Sequence, residues 1–116
     1  MTTRLLLADD NDAFREQLAA LLHDLVPDGE IVAAVADGHA AVAAAMKHSP
    51  AVVLIDYAMP GPNGGHAASV IRQALPGTRI VILSGLEPDE LGDIPGDVHV
   101  VRKGAGMEQA LADALA

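Results

Sequence analysis

Residues 51–65 read AVVLIDYAMPGPNGG, and their reading decides the fold. Ala51 to Ile55 are all apolar and non-alternating, the pattern of a strand covered on both faces, as in a parallel sheet. The run ends on a carboxylate, Asp56, and passes into a loop holding Pro60, Gly61, Pro62, Gly64 and Gly65. An acid at the end of the most water-excluded segment costs free energy unless something nearby uses it.

Working outward, four more apolar runs share this character: RLLLA (4–8), IVAAVA (31–36), RIVIL (79–83) and the weaker VHVV (98–101). Helical spacing fills most of the intervals. Phe14, Leu18, Leu21, Leu22 and Leu25 fall on one face, with Asn11 or Asp12 placed to cap them. Residues 38–48 favour helix through their alanines, behind Asp37 as a cap. Ala67, Val70, Ile71, Ala74 and Leu75 repeat the pattern until Pro76-Gly77 ends it, and Met107, Ala110, Leu111, Ala114 and Leu115 repeat it again. The exception is LEPDELGDIPGD, residues 86–97, where two Pro and two Gly predict a short turn or irregular loop in place of a regular helix. Strands alternating with helices predict an α/β, doubly wound parallel sheet of five strands with helices on both faces, residues 1–116 forming one domain.

Composition narrows the chemistry. One Phe, one Tyr and no Trp leave almost no aromatic surface for stacking bases, flavins or sugars. Sixteen acids against seven bases give a net charge of −9, which repels nucleic acid, so direct nucleic-acid binding by this chain is not expected. The absence of Cys excludes disulfides and thiolate metal sites. No apolar run approaches the roughly 18 residues of a membrane span, and Asp9-Asp10 cut short the only run that resembles a signal peptide. A cytoplasmic protein without membrane contact is the expectation.

In doubly wound sheets ligands bind beyond the carboxyl ends of the strands, where strand order reverses. The residues just past the strands are Asp9-Asp10, Asp37, Asp56, Ser84 and Lys103. Asp9, Asp10 and Asp56 converging at one edge require either a protonated carboxyl or a cation among them. Carboxylates without His or Cys suit Mg²⁺. Lys103 adds a fixed positive charge and Ser84 a short hydroxyl, and the set suits a phosphoryl group with Asp56 as nucleophile. The five His residues form no i, i+4 metal pair and read as surface groups, His66 included.

LLLADDNDAFREQLAALL, VVLIDYAMPGPNG, RIVILSG and VVRKG, in that order along essentially the whole chain, resemble the motifs of response-regulator receiver domains, the phosphoacceptor domains of two-component signalling. Asp10 and Asp56 lie 46 positions apart, with Pro60 and Gly64 four and eight past the acid. The resemblance implies the flavodoxin-like strand order 2-1-3-4-5. It implies that Asp56 accepts a phosphoryl group from a sensor histidine kinase or a small phosphodonor. Asp10, Asp56 and the Ala58 carbonyl would bind Mg²⁺ directly and Asp9 largely through water. Ser84 and Lys103 would engage the phosphoryl oxygens and bias an output surface near the fourth and fifth strands, for a C-terminal output domain, a downstream protein or a weak homodimer. It implies a signalling domain, not an enzyme acting on a separate substrate. The alternative reading is a phosphorylation-independent interaction module. A Mg²⁺-dependent phosphatase is disfavoured because Ala58 stands where its general acid would be, and a flavodoxin-like electron carrier for want of aromatics. The sequence departs from the family at three places. Val100 replaces the usual Tyr or Phe, Gly104 replaces the Pro after the lysine so that a trans bond is expected, and only 19 positions separate Ser84 from Lys103.

Overall fold

A computed structural model describes residues 2–116, for Pro88 the backbone alone. The chain runs β1 (Thr3–Ala8), α1 (Asp12–Leu25), β2 (Gly29–Val35), α2 (Gly38–His48), β3 (Val52–Asp56), α3 (Gly64–Ala74), β4 (Arg79–Ser84), β5 (His99–Arg102) and α4 (Met107–Leu115). The strands form one parallel sheet in the order β2-β1-β3-β4-β5. Between β4 and β5, where a further helix was doubtful, stands only a 3-10 turn over Pro88–Glu90.

Side-chain alternation divides the core in two. Leu5, Leu7, Val52, Leu54, Val81, Leu83 and Val101 face one side, against Leu18 and Leu22 of α1 and Leu111 of α4. Leu6, Ala8, Val53, Ile55, Ile80 and Ile82 face the other, against Ala41 and Ala45 of α2 and Ala67, Ala68 and Ile71 of α3. The small residues on α2 and α3 allow close approach to the branched side chains of the sheet. Asn11, Asp37 and Asn63 each begin a helix by accepting a backbone N–H, from Phe14, Ala40 and His66.

One expectation needs correction. β2 and β5 are not covered on both faces: Ile31 is 39% and Val100 42% exposed. Both are edge strands, so each has a neighbour on one side only, and they leave Glu30, Ile31 and Ala34 of β2 and His99, Val100 and Arg102 of β5 in solvent. The apolar runs 31–36 and 98–101 therefore looked like β3 without sharing its position. β2 also skips a residue against β1, Leu5 pairing with Ile31 and Leu6 with Ala33, and such a bulge twists an edge away from further pairing.

Candidate functional site

The crossover between β1 and β3 opens a crevice at the carboxyl edge of the sheet. Alternation delivers the chemistry to it. Asp9 continues the series Leu5, Leu7; Asp56 continues Val52, Leu54; Lys103 follows Val101. All three therefore turn towards the face of α1 and α4. Ser84 continues Ile80, Ile82, so it belongs to the α2/α3 side of the same edge.

The contacts are close. Lys103 Nζ donates to Asp9 Oδ2 at 2.8 Å and lies 3.3 Å from Asp56 Oδ1. Asp9 is fully buried, and its Oδ1 accepts the Asn11 N–H at 2.8 Å. The Arg15 guanidinium bonds the Asp9 carbonyl at 2.6 Å and the Asp12 carboxylate at 2.6 Å, which ties the first turns of α1 to the end of β1. Lys103 is held through its backbone as well, its N–H donating to the Ser84 carbonyl at 2.8 Å. The bond between Lys103 and Gly104 is trans, as are all peptides among the described residues.

Asp56 is 5% exposed. Burial pushes its carboxyl above the usual range; the Lys103 ammonium pulls it back, Asp9 pushes it up further, and hydrogen bonds from Lys103 and the Ala58 N–H pull it down. Burial prevails. The native state then holds the Asp56 proton more tightly than the unfolded chain, so unfolding releases protons and stability falls with rising pH. This contribution is full below the ordinary carboxylate range and is lost as pH rises through the raised value. Without divalent metal, Asp56→Asn is expected to match wild type in acid and to exceed it increasingly towards neutrality, as read by urea unfolding across pH. An advantage that shrinks with rising pH overturns this account.

Asp10 is the exposed member of the group. Asp9, Asp10 and Asp56 each present a carboxylate oxygen, all within 4.8 Å of one another. An oxygen-only set of three carboxylates with one neighbouring ammonium fits a hard divalent cation of the Mg²⁺ type.

Ser84, 2% exposed, stands at the neighbouring strand end, its hydroxyl oxygen accepting the Leu86 N–H at 2.9 Å. The loop after Asp56 is pinned by the Gly64 N–H donating to the Tyr57 carbonyl at 2.7 Å and the Gly38 N–H to the Pro60 carbonyl at 3.3 Å. Gly64 is required by proximity: a Cβ there would stand 2.4 Å from the Asp56 carbonyl oxygen. Asp37 is not part of the group; it caps α2. His66 is exposed on α3, as expected.

Two residues here were not singled out by sequence. Phe14, read only as a core residue of α1, presents its ring to Lys103 Nζ with the centroid at 4.1 Å. Tyr57, on the α2/α3 side, accepts the Gly92 N–H at 2.8 Å from the irregular segment. Helical spacing assigns Phe14 and alternation assigns Tyr57 to its face, but neither says what the ring or the hydroxyl touches.

Comparison with known proteins agrees with this arrangement. The family described as response regulator receiver domain matches residues 5–93. The oxygen regulatory protein NreC of Staphylococcus haemolyticus is 35% identical over 103 residues, covering 88% of this chain and 45% of that protein. The transcriptional regulatory protein DegU of Brevibacillus brevis is 33% identical over 115 residues, covering 97% and 46%. The chain thus spans less than half the length of these curated relatives. A two-component response regulator of the LuxR family from Aurantimonas sp. SI85-9A1 superposes with a TM-score of 0.82 at 28% identity, over 99% of this chain and 83% of that one. Fold, site and relatives converge: the chain belongs to the family of response-regulator receiver domains.

Proposed function

We propose that residues 1–116 act as one phosphoacceptor unit in which Asp56 takes a phosphoryl group from a sensor histidine kinase or a small phosphodonor. The observation that carries this reading is the convergence of Asp9, Asp10, Asp56 and Lys103 on one point at the sheet edge. An oxygen of the Asp56 carboxylate attacks phosphorus, a P–O bond to the carboxylate forms, and the bond to the donor's nitrogen or oxygen breaks with its electron pair leaving on the donor. Lys103 turns a donor from Asp56 to the incoming oxygens, while Asp9 keeps it anchored. Asp10, Asp56 and the Ala58 carbonyl, with Asp9 behind them, are the groups that would hold Mg²⁺. When bound, that ion offsets the charge gathering on the phosphoryl oxygens.

The output half follows from Ser84. If its hydroxyl is drawn to the phosphoryl group, the Leu86 N–H loses its acceptor at the entry to segment 86–98. That segment has only local turns inside it, Glu90 to Glu87 and Val98 to Pro95. It is held to the rest by the Gly92–Tyr57 bond, by the ion pairs Arg102–Glu87 and Arg72–Asp97, and by Ile94 and Val98 against the α2/α3 core. Without a regular helix or strand ladder beyond the Pro88–Glu90 turn, it is an element that a local change can reorder. The curated relatives are regulatory proteins more than twice as long as the matched region, so an attached output domain or a separate downstream protein would read this surface. The chain's own acidity argues against direct nucleic-acid contact. Among the described residues no helix is long and apolar enough to cross a membrane.

The test is incubation with acetyl phosphate and Mg²⁺ followed by intact-mass measurement. Wild type gains one phosphoryl group, and Asp56→Asn and chelator-treated wild type gain none. No gain from acetyl phosphate, phosphoramidate or a phosphorylated kinase defeats the reading and favours a phosphorylation-independent interaction module.

A further inference from the structure

The chain has one Phe, and its ring stands beside the ammonium that the site depends on. Lys103 Nζ occupies a seat with three walls: the Asp9 carboxylate at 2.8 Å, the Asp56 carboxylate at 3.3 Å and the Phe14 ring at 4.1 Å to its centroid. We infer that Phe14 is a positioning residue, holding the Lys103 ammonium over the carboxylate pair and thereby setting how readily Asp56 accepts a phosphoryl group. The inference rests on the phosphoacceptor reading of Asp56.

Lys103 needs such a wall. It lies just past β5 and just before Gly104, whose φ of 112° is in the left-handed region, so the chain turns away directly after it and leaves its side chain 23% exposed. The stem is flexible, and an ammonium has no fixed fork to orient it. The two carboxylates alone would fix it only while both keep their charge in place. On phosphorylation the negative charge at Asp56 moves outward onto the phosphoryl oxygens, and that wall changes. The aromatic face attracts the cation whatever Asp56 carries, and it occupies none of the three N–H donors in a conventional hydrogen bond. Lys103 can therefore keep Asp9, turn one donor to a phosphoryl oxygen and stay in register.

Phe14 is itself well placed to act as a fixed wall. Its N–H donates to the Asn11 side chain at 2.9 Å, and Arg15, one residue on, grips the Asp9 carbonyl at 2.6 Å. Its ring also packs against the core on the α1/α4 face. The ring and the carboxylate that share the ammonium are thus locked to each other by the first turn of one helix.

The experiment compares wild type, Phe14→Leu and Phe14→Tyr in the intact chain. Leu keeps an apolar side chain against the core and removes the π face; Tyr restores it. The chain has two lysines, Lys47 exposed on α2 and Lys103 in the site, so ¹³C relaxation at the lysine ε-carbons separates them. Lys103 is expected to be ordered and Lys47 mobile in wild type. In Phe14→Leu, Lys103 becomes mobile and Mg²⁺-dependent uptake from acetyl phosphate slows about three- to tenfold; in Phe14→Tyr both return to the wild-type values. Thermal unfolding of each variant confirms that the fold persists. Lys103 equally ordered in Phe14→Leu, uptake unchanged while it loosens, or failure of Tyr to restore the order overturns the inference. If wild type takes up no phosphate, the phosphoacceptor reading has failed, and with it the claimed effect on uptake; the relaxation data still decide whether Phe14 holds the ammonium.

Discussion

Lys103→Met is expected to destabilise the metal-free protein by about 2–4 kcal/mol at neutral pH and to slow phosphoryl uptake by about 100-fold. Met keeps most of the stem volume, so the change isolates the charge. It leaves Asp9, whose side chain is 1% exposed, with a single N–H from Asn11. Asp56, 8% exposed at its side chain, loses the attraction that most opposes its burial. Removing one member of a buried ion pair costs more than the pair was worth, because the other charges remain. The lysine side chain is 23% exposed, which holds the cost below that of a fully enclosed pair. Two dependences follow. The deficit shrinks on acidification, since a protonated Asp56 no longer repels Asp9, and it shrinks on adding Mg²⁺, which supplies the missing charge. Urea unfolding at several pH values, with and without Mg²⁺, reads both. A deficit that grows in acid would mean that packing and not charge was lost.

Gly64→Ala is expected to cost about 3 kcal/mol and to lower the melting temperature by about 10–20 °C. A methyl group there would lie 2.4 Å from the Asp56 carbonyl oxygen and 2.7 Å from the Tyr57 Cα. Both are backbone atoms at the end of β3, so relief requires moving α3 or the strand end; no side chain can rotate aside. The displacement is at the acid itself, and phosphoryl uptake falls with stability. Gly77→Ala is the control: nothing lies within 4 Å of a Cβ at Gly77, and the change should alter stability by no more than about 0.5 kcal/mol. Thermal melts of the two variants side by side check the pair, and a Gly64→Ala protein melting with Gly77→Ala would show that the loop has room to yield.

Legibility from sequence followed burial. β1, β3 and β4 lie inside the sheet, so their unbroken apolar runs state their environment directly. β2 and β5 carry similar runs but sit at edges, and composition alone does not distinguish an edge from a centre. The acids and the lysine were legible because a strand end is a fixed place, and period-two alternation then fixes the side to which each turns. Segment 86–97 was legible as non-helical because its Pro and Gly forbid regular bonding. Where it goes was not, since that depends on contacts such as Gly92 with Tyr57, which have no periodicity. Phe14 was assigned to the correct face of α1, but its meeting with Lys103 joins the start of one helix to the end of a strand 89 positions away, and no periodicity reports that.

The hydrogen bond from Gly92 to the Tyr57 hydroxyl has a spectroscopic consequence. Tyr57 is the chain's one tyrosine, and there is no tryptophan to mask it. All tyrosine emission therefore arises from a ring one residue past Asp56, with its hydroxyl seated on the segment that would move. Release of that hydroxyl to water changes the emission of a single fluorophore, so the native protein carries its own optical probe, without label or added residue, at the junction between what is received and what is reported.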